Sequence, residues 1–342
     1  MTAVLVVLAL ILTMGYALVN SFHDVPNATA IPVRHRALTP RAALILAALL
    51  NMLGVVAAAI MLPLADLDLF VTDLIDPAPA LGVIICALLT TIGWDLLTWW
   101  WGLPSSSTSA FTGAVLGASV AVGWVGLTAE LPLDMSTFWH LAVPVLVAPV
   151  VAFVIAWVLV IPAVRGLRHV EANQVRLLAR VGMVVGSTGT NVGHGLFHGQ
   201  RVLLLLLTIP ALGGFTSGAS DSALPAAVVV TALAFAIGSL FGAWRIARTI
   251  STRMVGTDAL RGGIAQVVSG LLLFAGGITS GVTLSTSQTT TAAVLGTGIN
   301  QKYRATNHRI VGQILVCWVL TPVVSAVVGG TLVLAISPLL GA

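Results

Sequence analysis

Long apolar runs, each followed by a short polar stretch, succeed one another along the whole chain. A helix rises 1.5 Å per residue, so a run of roughly 20 apolar residues spans a hydrocarbon layer about 30 Å thick. The runs predict about ten crossings. The first extends from Thr2 to about Ile31 and is expected to break near Asp24. Four more cover about Ala42–Leu64, Ala80–Trp101, Leu103–Trp124 and Trp139–Val164. A second series covers about Val181–Leu212, Ala223–Trp244, Ile264–Gly281, Val282–Ile299 and Ile310–Ile336. Several runs are short or cut by Gly and Pro, so half-helices or re-entrant hairpins are expected among them.

Composition narrows the class further. Of 342 residues, 58% are hydrophobic and 8% charged, with a mean hydropathy of +1.06. A soluble domain carries about 25% charged residues to solvate its surface. Disorder needs low hydrophobicity, and the glycines show no three-residue period. The expectation is an all-α, polytopic membrane protein, because lipid offers no partner to unpaired backbone groups. Its N-terminal run has no Lys or Arg before it, which points to a retained first span instead of a cleaved leader. Cys86 and Cys317 lie inside apolar runs with no neighbour at metal-ligand spacing, so neither a disulfide framework nor a metal site is expected.

The net charge of +4 is explained by loop placement, so no nucleic-acid partner is expected. One loop holds Arg34, Arg36 and Arg41, and the next Arg165, Arg168, Arg176 and Arg180. A third holds Arg245, Arg248, Arg253 and Arg261, and a fourth Lys302, Arg304 and Arg309. Alternate crossings put all four on one face, opposite Asp66, Asp68, Asp73, Asp76, Glu130, Asp134 and Asp221. The positive-inside rule then makes the basic loops cytoplasmic and sets both termini outside the cell membrane. Five crossings per half invert residues 181–342 relative to residues 1–164, with 165–180 as a basic linker. Gly113–Gly117 and Ala292–Gly296 share the run Ala-Val-Leu-Gly, each behind a Ser/Thr cluster. Inverted repeats with interrupted helices mark secondary transporters, whose substrate sits near the midplane.

Three charges remain inside the apolar runs: Asp24, Asp95 and Arg201. A charge at a helix centre costs about 2.5–3.5 kcal/mol on insertion scales, so each needs a reason. Asp24 lies in the polar stretch Asn20–Ala28, where Pro26 disfavours helix and would expose Asp24 and Asn27 to a cavity. The plainer alternative is a loop at the end of a shorter span. Ser105, Ser106, Ser107 and Thr108 in the first half are matched by Ser285, Thr286 and Ser287 in the second. Hydroxyls and N–H groups at a helix start can hold an oxyanion, although either cluster alone also reads as a helix cap. Arg201 could anchor an anion, pair with Asp24 or Asp95, or reach for the interface. Asp95, beside Trp94 and Trp99–Trp101, is expected to face interfacial water or to support the site from behind.

With these residues in view, the chain resembles the inorganic phosphate transporter (PiT) family over nearly its whole length. Asn20-Ser21-Phe22-His23-Asp24-Val25-Pro26-Asn27-Ala28 is similar to that family's first signature, N-G-F-H-D-x-A-N-A. Thr98-Trp99-Trp100-Trp101-Gly102-Leu103-Pro104-Ser105-Ser106-Ser107-Thr108 is similar to its T-W-W-x-G-L-P-x-S-S-[ST] hairpin. The second signature, S-H-G-x-N-D-[AG]-Q-K, departs here: Phe197, His198 and Arg201 stand for its Asn, Asp and Lys, while Gln200 is kept. The second hairpin lacks the usual proline, and Ser109 and Gln288 stand where a histidine is common.

The resemblance implies a secondary transporter of inorganic phosphate, not an enzyme, driven by H+ or Na+ and needing no other cofactor. It implies substrate contacts at Asp24, Asn27, the two hydroxyl clusters, Gln200 and Arg201, and the coupling cation at Asp24 and Asn27. A neutral histidine is a poor stand-in for a carboxylate toward Na+, so His198 shifts the expectation toward a proton. Sulfate is the alternative oxyanion, because His198 and Arg201 make the site more positive. A sensor or accessory protein derived from the family is the other alternative. The lipid bilayer is the chain's surroundings, and a homo-oligomer is compatible with such a chain.

Overall fold

The computed structural model describes residues 2–62, 76–127, 135–215, 223–279, 284–299, 301 and 306–341. The acidic residues Asp66, Asp68, Asp73, Glu130, Asp134 and Asp221, together with Gly281, Lys302 and Arg304, lie outside them. The elements are α1 (Thr2–Arg34), α2 (Pro40–Met61), α3 (Pro77–Trp101), α4 (Ser107–Trp124), α5 (Met135–Gly166) and α6 (Ala172–Leu212). They continue with α7 (Ala223–Phe241), α8 (Trp244–Arg248, running into a π turn), α9 (Ala259–Ile278), α10 (Thr286–Ile299) and α11 (His308–Leu340). Among the described residues there is no strand, only an isolated bridge between Val255 and Thr306. The fold is all-α.

Each apolar run became one long helix, but not every helix is a crossing. Among the described residues, eight helices are long and apolar enough to span a membrane: α1, α2, α3, α5, α6, α7, α9 and α11. The 14 residues of α10 reach only about 21 Å, short of a hydrocarbon core of about 30 Å. Both α4 and α10 are second arms of hairpins: α3 turns into α4 through residues 102–106, and α10 packs back against α9. Gly102 makes the first turn possible. It closes α3 at φ +69° with its N–H donating to the Thr98 and Trp99 carbonyls, a left-handed position that side chains resist. Of the expected linker 165–180, residues 165–166 end α5, 167–171 separate the two helices, and 172–180 belong to α6.

The helices pack crosswise between the halves. The helix α4 lies along α11, and α10 lies along α5. The glycines that end the two Ala-Val-Leu-Gly runs serve the same purpose in both places. A Cβ on Gly117 would collide with the Ala326 carbonyl of α11, and one on Gly296 with the Phe153 carbonyl of α5. Lipid gives no hydrophobic drive to helix association, so such backbone approach is what holds membrane helices together.

One expectation fails. The helix α1 does not break near Asp24 but runs through Pro26 and Pro32 to Arg34. A proline inside a helix removes one N–H and leaves a carbonyl unbonded, and neighbouring helices can supply the missing donor. The carbonyl freed by Pro32 is that of Ala28, and Ser187 Oγ of α6 donates to it over 2.8 Å. Gln266 Nε2 of α9 donates to the neighbouring Asn27 carbonyl at 3.2 Å.

Candidate functional site

The middle turns of α1 carry the polar centre. His23, Asp24 and Asn27 are all buried, although nothing in a helix interior favours such residues there. Their partners explain them. His23 Nδ1 stands 3.1 Å from Asp24 Oδ1, and its Nε2 stands 3.2 Å from Thr98 Oγ1 and 3.3 Å from Ser105 Oγ. A carboxylate oxygen only accepts, so Nδ1 carries the proton and Nε2 receives one from a hydroxyl. On its other side, Asp24 Oδ1 accepts from Ser287 Oγ over 2.8 Å. Asn27 Nδ2 donates to the same Ser287 oxygen at 2.9 Å.

The two hydroxyl clusters therefore both border the polar centre of α1, at adjacent residues. Ser105 of the first hairpin touches His23, and Ser287 of the second touches Asp24 and Asn27. Each hairpin presents the N-terminus of a short helix, α4 at Ser107 and α10 at Thr286. The caps match: Ser106 Oγ accepts from Ser109 N at 3.1 Å, and Ser285 Oγ accepts from Gln288 N at 3.3 Å. The cap reading and the anion reading thus apply to different residues of each cluster. Ser106 and Ser285 are occupied as caps. Thr108 Oγ1, Thr289 Oγ1 and Thr290 Oγ1 are buried with no hydrogen-bond partner among the described residues. Burying such a hydroxyl unpaired costs about 1–3 kcal/mol, which favours a site that can use it.

The helix α6 supplies the rest. His194 and His198 lie one turn apart on the same face, with ring centres 4.7 Å apart. Their Nε2 atoms stand 3.6 Å and 4.0 Å from Asp24 Oδ2. Gln200, two residues beyond His198 on the same helix, is also buried. Arg201 is half-buried and takes none of the partnerships with Asp24 or Asp95 considered above. Its Nη1 donates to Tyr16 Oη at 3.1 Å, and its guanidinium lies over the rings of Phe111 and Phe197, at 5.1 and 5.4 Å. Asp95 departs from the expected interfacial water: it is wholly buried, and neither of its carboxylate oxygens has a hydrogen-bond partner among the described residues.

His23, Thr98, His194, Asn20 and Asn51 belong to this network and were not singled out from the sequence. His23 and Asn20 were visible inside the first motif. The four-residue spacing of His194 and His198 was a signal too. Thr98 and Asn51 carried none, because only tertiary packing brings them in. The arrangement offers hydroxyl donors, two helix N-termini and one carboxylate flanked by three imidazoles. It can hold an oxyanion and a cation side by side.

Comparison with known proteins identifies the family and the fold. The model of the Phosphate transporter family matches residues 20–169 and 163–329. A probable low-affinity inorganic phosphate transporter of Bacillus subtilis (strain 168) is 27% identical over 330 residues, covering 95% of each chain. One from Mycobacterium tuberculosis (strain ATCC 25618 / H37Rv) is 29% identical, covering 95% of this chain and 76% of its own length. The low-affinity inorganic phosphate transporter PitB of Escherichia coli (strain K12) is 28% identical, over 62% of this chain and 48% of its own. A solved structure described as the sodium-dependent phosphate transporter superposes with a TM-score of 0.78 at 16% identity, covering 98% and 99% of the two chains, which shows a shared fold. With a family model matched across both halves of a helical membrane fold, this chain belongs to the phosphate transporter family, a family of transporters and not of enzymes.

Proposed function

We propose that this protein carries inorganic phosphate across the cell membrane as a secondary symporter, with the anion held between the two hairpin tips and Asp24. The observation that carries the reading is the bridge through adjacent residues of α1: His23 to Ser105 and Asp24 to Ser287. Ser107, Thr108 and Thr286 surround the same point with hydroxyls and first-turn N–H groups, where a helix dipole favours negative charge. Asn27 and Gln200 add amide contacts, and Arg201 adds positive potential from one turn beyond His198. Phosphate near neutral pH keeps an O–H that can donate to Asp24. Sulfate has none and would leave the carboxylate facing an anion, a penalty that separates the two.

The coupling cation shares Asp24 and Asn27. Two of the nearest groups, His194 and His198, are nitrogen donors, which suit a proton better than the hard, oxygen-seeking Na+. The four basic loops face the cytoplasm and both termini lie outside. Residues 1–164 and 181–342 form two inverted repeats, a reading supported by the exchanged packing of α4 on α11 and α10 on α5. Rocking of one repeat against the other would alternate access to the site.

Uptake of labelled phosphate into proteoliposomes tests this. An imposed inward proton gradient should drive accumulation that a sodium gradient does not, and excess sulfate should not compete. Accumulation that follows sodium alone overturns the proton assignment, and transport of sulfate in preference to phosphate overturns the substrate.

A further inference from the structure

A second concavity shares no residue with the polar centre of α1. The end of α5 gives it Leu159 and Pro162, the start of α6 Ala179 and Gly182, and the start of α9 Ile264 and Val267. Its volume is about 400 Å³, and every residue that lines it is apolar. That volume is the size of a small-ligand pocket. The groove opens toward lipid, because Leu159 and Leu178 on its walls are 44% and 55% exposed. On its floor α6 and α9 touch, where a Cβ on Gly263 would press against the Ala179 carbonyl. Gly182 leaves room beside that contact: a Cβ there would meet only Val267 Cγ2 at 3.5 Å and the Gly263 carbonyl at 3.9 Å.

One end of this groove is basic. Arg165 follows Pro162 by three residues, Arg176 precedes Ala179 by three, and Arg261 precedes Ile264 by three. Each arginine therefore stands one turn beyond a lining residue on the same helix face. The last turn of α5 and the first two turns of α6 and α9 carry them, with Arg168 and Arg180 close by in sequence. Two acidic residues lie among them, and both are engaged: Asp258 pairs with Arg261, and Glu171 accepts from Asn173. Arg165 and Arg176 are exposed and form no ion pair among the described residues. Arg176 donates to Asn173 Oδ1, one of the five donors that a guanidinium holds.

We infer that this groove binds one anionic phospholipid, with an acyl chain between α5 and the α6–α9 pair and the phosphodiester on Arg165 and Arg176. Basic pockets between membrane helices attract anionic headgroups, and a guanidinium fork matches two oxygens of a phosphate. The wholly apolar lining suits the chain and offers a headgroup nothing until the arginines are reached. A second copy of the protein fits this face less well. Two-fold contact through it would set the same arginines against one another, and like charges brought together are penalised. The lipid joins α5, from the first half of the chain, to α6 and α9, from the second. The inference stands on groove and charge and does not need the transport reading.

Native mass spectrometry of the purified protein tests it, with phosphatidylglycerol and phosphatidylcholine of the same acyl chains supplied in equal amounts. One phosphatidylglycerol per chain should be retained in preference to phosphatidylcholine. An arginine at the membrane surface is worth roughly fivefold in affinity for an anionic lipid, so Arg165→Gln combined with Arg176→Gln should weaken retention by about 30-fold. Gly182→Leu fills the groove where its neighbours leave room, and should release the lipid whatever its headgroup. Arg309→Gln, exposed at the start of α11, should change nothing. Equal retention of the two lipids, or a preference that survives loss of both arginines, overturns the site. Should Gly182→Leu not fold, the arginine variant decides, because both side chains are exposed and their replacement leaves the packing untouched. A dimer that Gly182→Leu dissociates, with no lipid retained by the wild type, makes the groove a subunit interface and overturns the assignment equally.

Discussion

Ser287 Oγ donates to Asp24 Oδ1 over 2.8 Å, joining the tip of the second hairpin to the middle of the first helix. The same oxygen accepts from Asn27 Nδ2. One hydroxyl thus serves both polar groups that α1 presents on that side, and it sets the distance between the hairpin and the helix.

Ser287→Ala should therefore act twice. It leaves Asn27 Nδ2 without an acceptor and takes a donor from Asp24, a loss of about 1–3 kcal/mol for buried groups. A drop in thermal unfolding temperature, together with a raised KM for phosphate, is the expected result. Ser285→Ala should cost only the α10 cap, about 0.5–2 kcal/mol, with a smaller change in KM.

Asp24→Asn keeps the shape of the side chain and removes its charge. Gradient-driven uptake should be abolished while the protein still purifies as a folded species with a near-native circular dichroism spectrum. Concentrative uptake by this variant at the wild-type rate would remove Asp24 from the coupling mechanism.

Gly117→Val and Gly296→Val should damage the fold in parallel. Each puts a branched side chain against a carbonyl of the opposite half, Ala326 or Phe153. Overpacking of this kind costs about 1–3 kcal/mol or more, read as a lower unfolding temperature in detergent. A tolerated substitution at one glycine but not the other would argue against equivalent roles in the two halves.

His35 lies just past the end of α1, beside Thr257 Oγ1 at 3.4 Å, and burial together with the Arg34 charge holds its imidazole below the ordinary value of 6.5. The folded protein thus resists protonation that the unfolded chain accepts. Stability from this residue is full above pH 6.5 and falls as pH drops through the lower folded value. Replacing His35 with Gln should flatten the pH dependence of unfolding below pH 6.5, measured by thermal melts across that range.

The helical membrane fold was legible because apolar length alone signals a span, and the hydroxyl clusters were legible because they repeat. The continuity of α1 was not. Pro26 is a sound breaking signal locally, and it is overruled by donors such as Ser187 that belong to distant helices. Arg201 was rightly marked as a charge needing a reason, but while Phe197 stands four residues before it on α6, Tyr16 and Phe111 come from two other helices that no spacing rule links to it. Asn51 and Thr98 read as ordinary polar residues until packing sets them against histidines.

The convergence of both hairpins on one anion is tested most directly by equilibrium phosphate binding to the purified protein, comparing wild type with Thr108→Val and Ser287→Ala. Hydrogen bonds to a charged group are worth about 1.5–3 kcal/mol, so each variant should raise the Kd by roughly tenfold or more. Unchanged affinity in either variant would mean that its hairpin does not touch the anion, and the shared site at Asp24 would be contradicted.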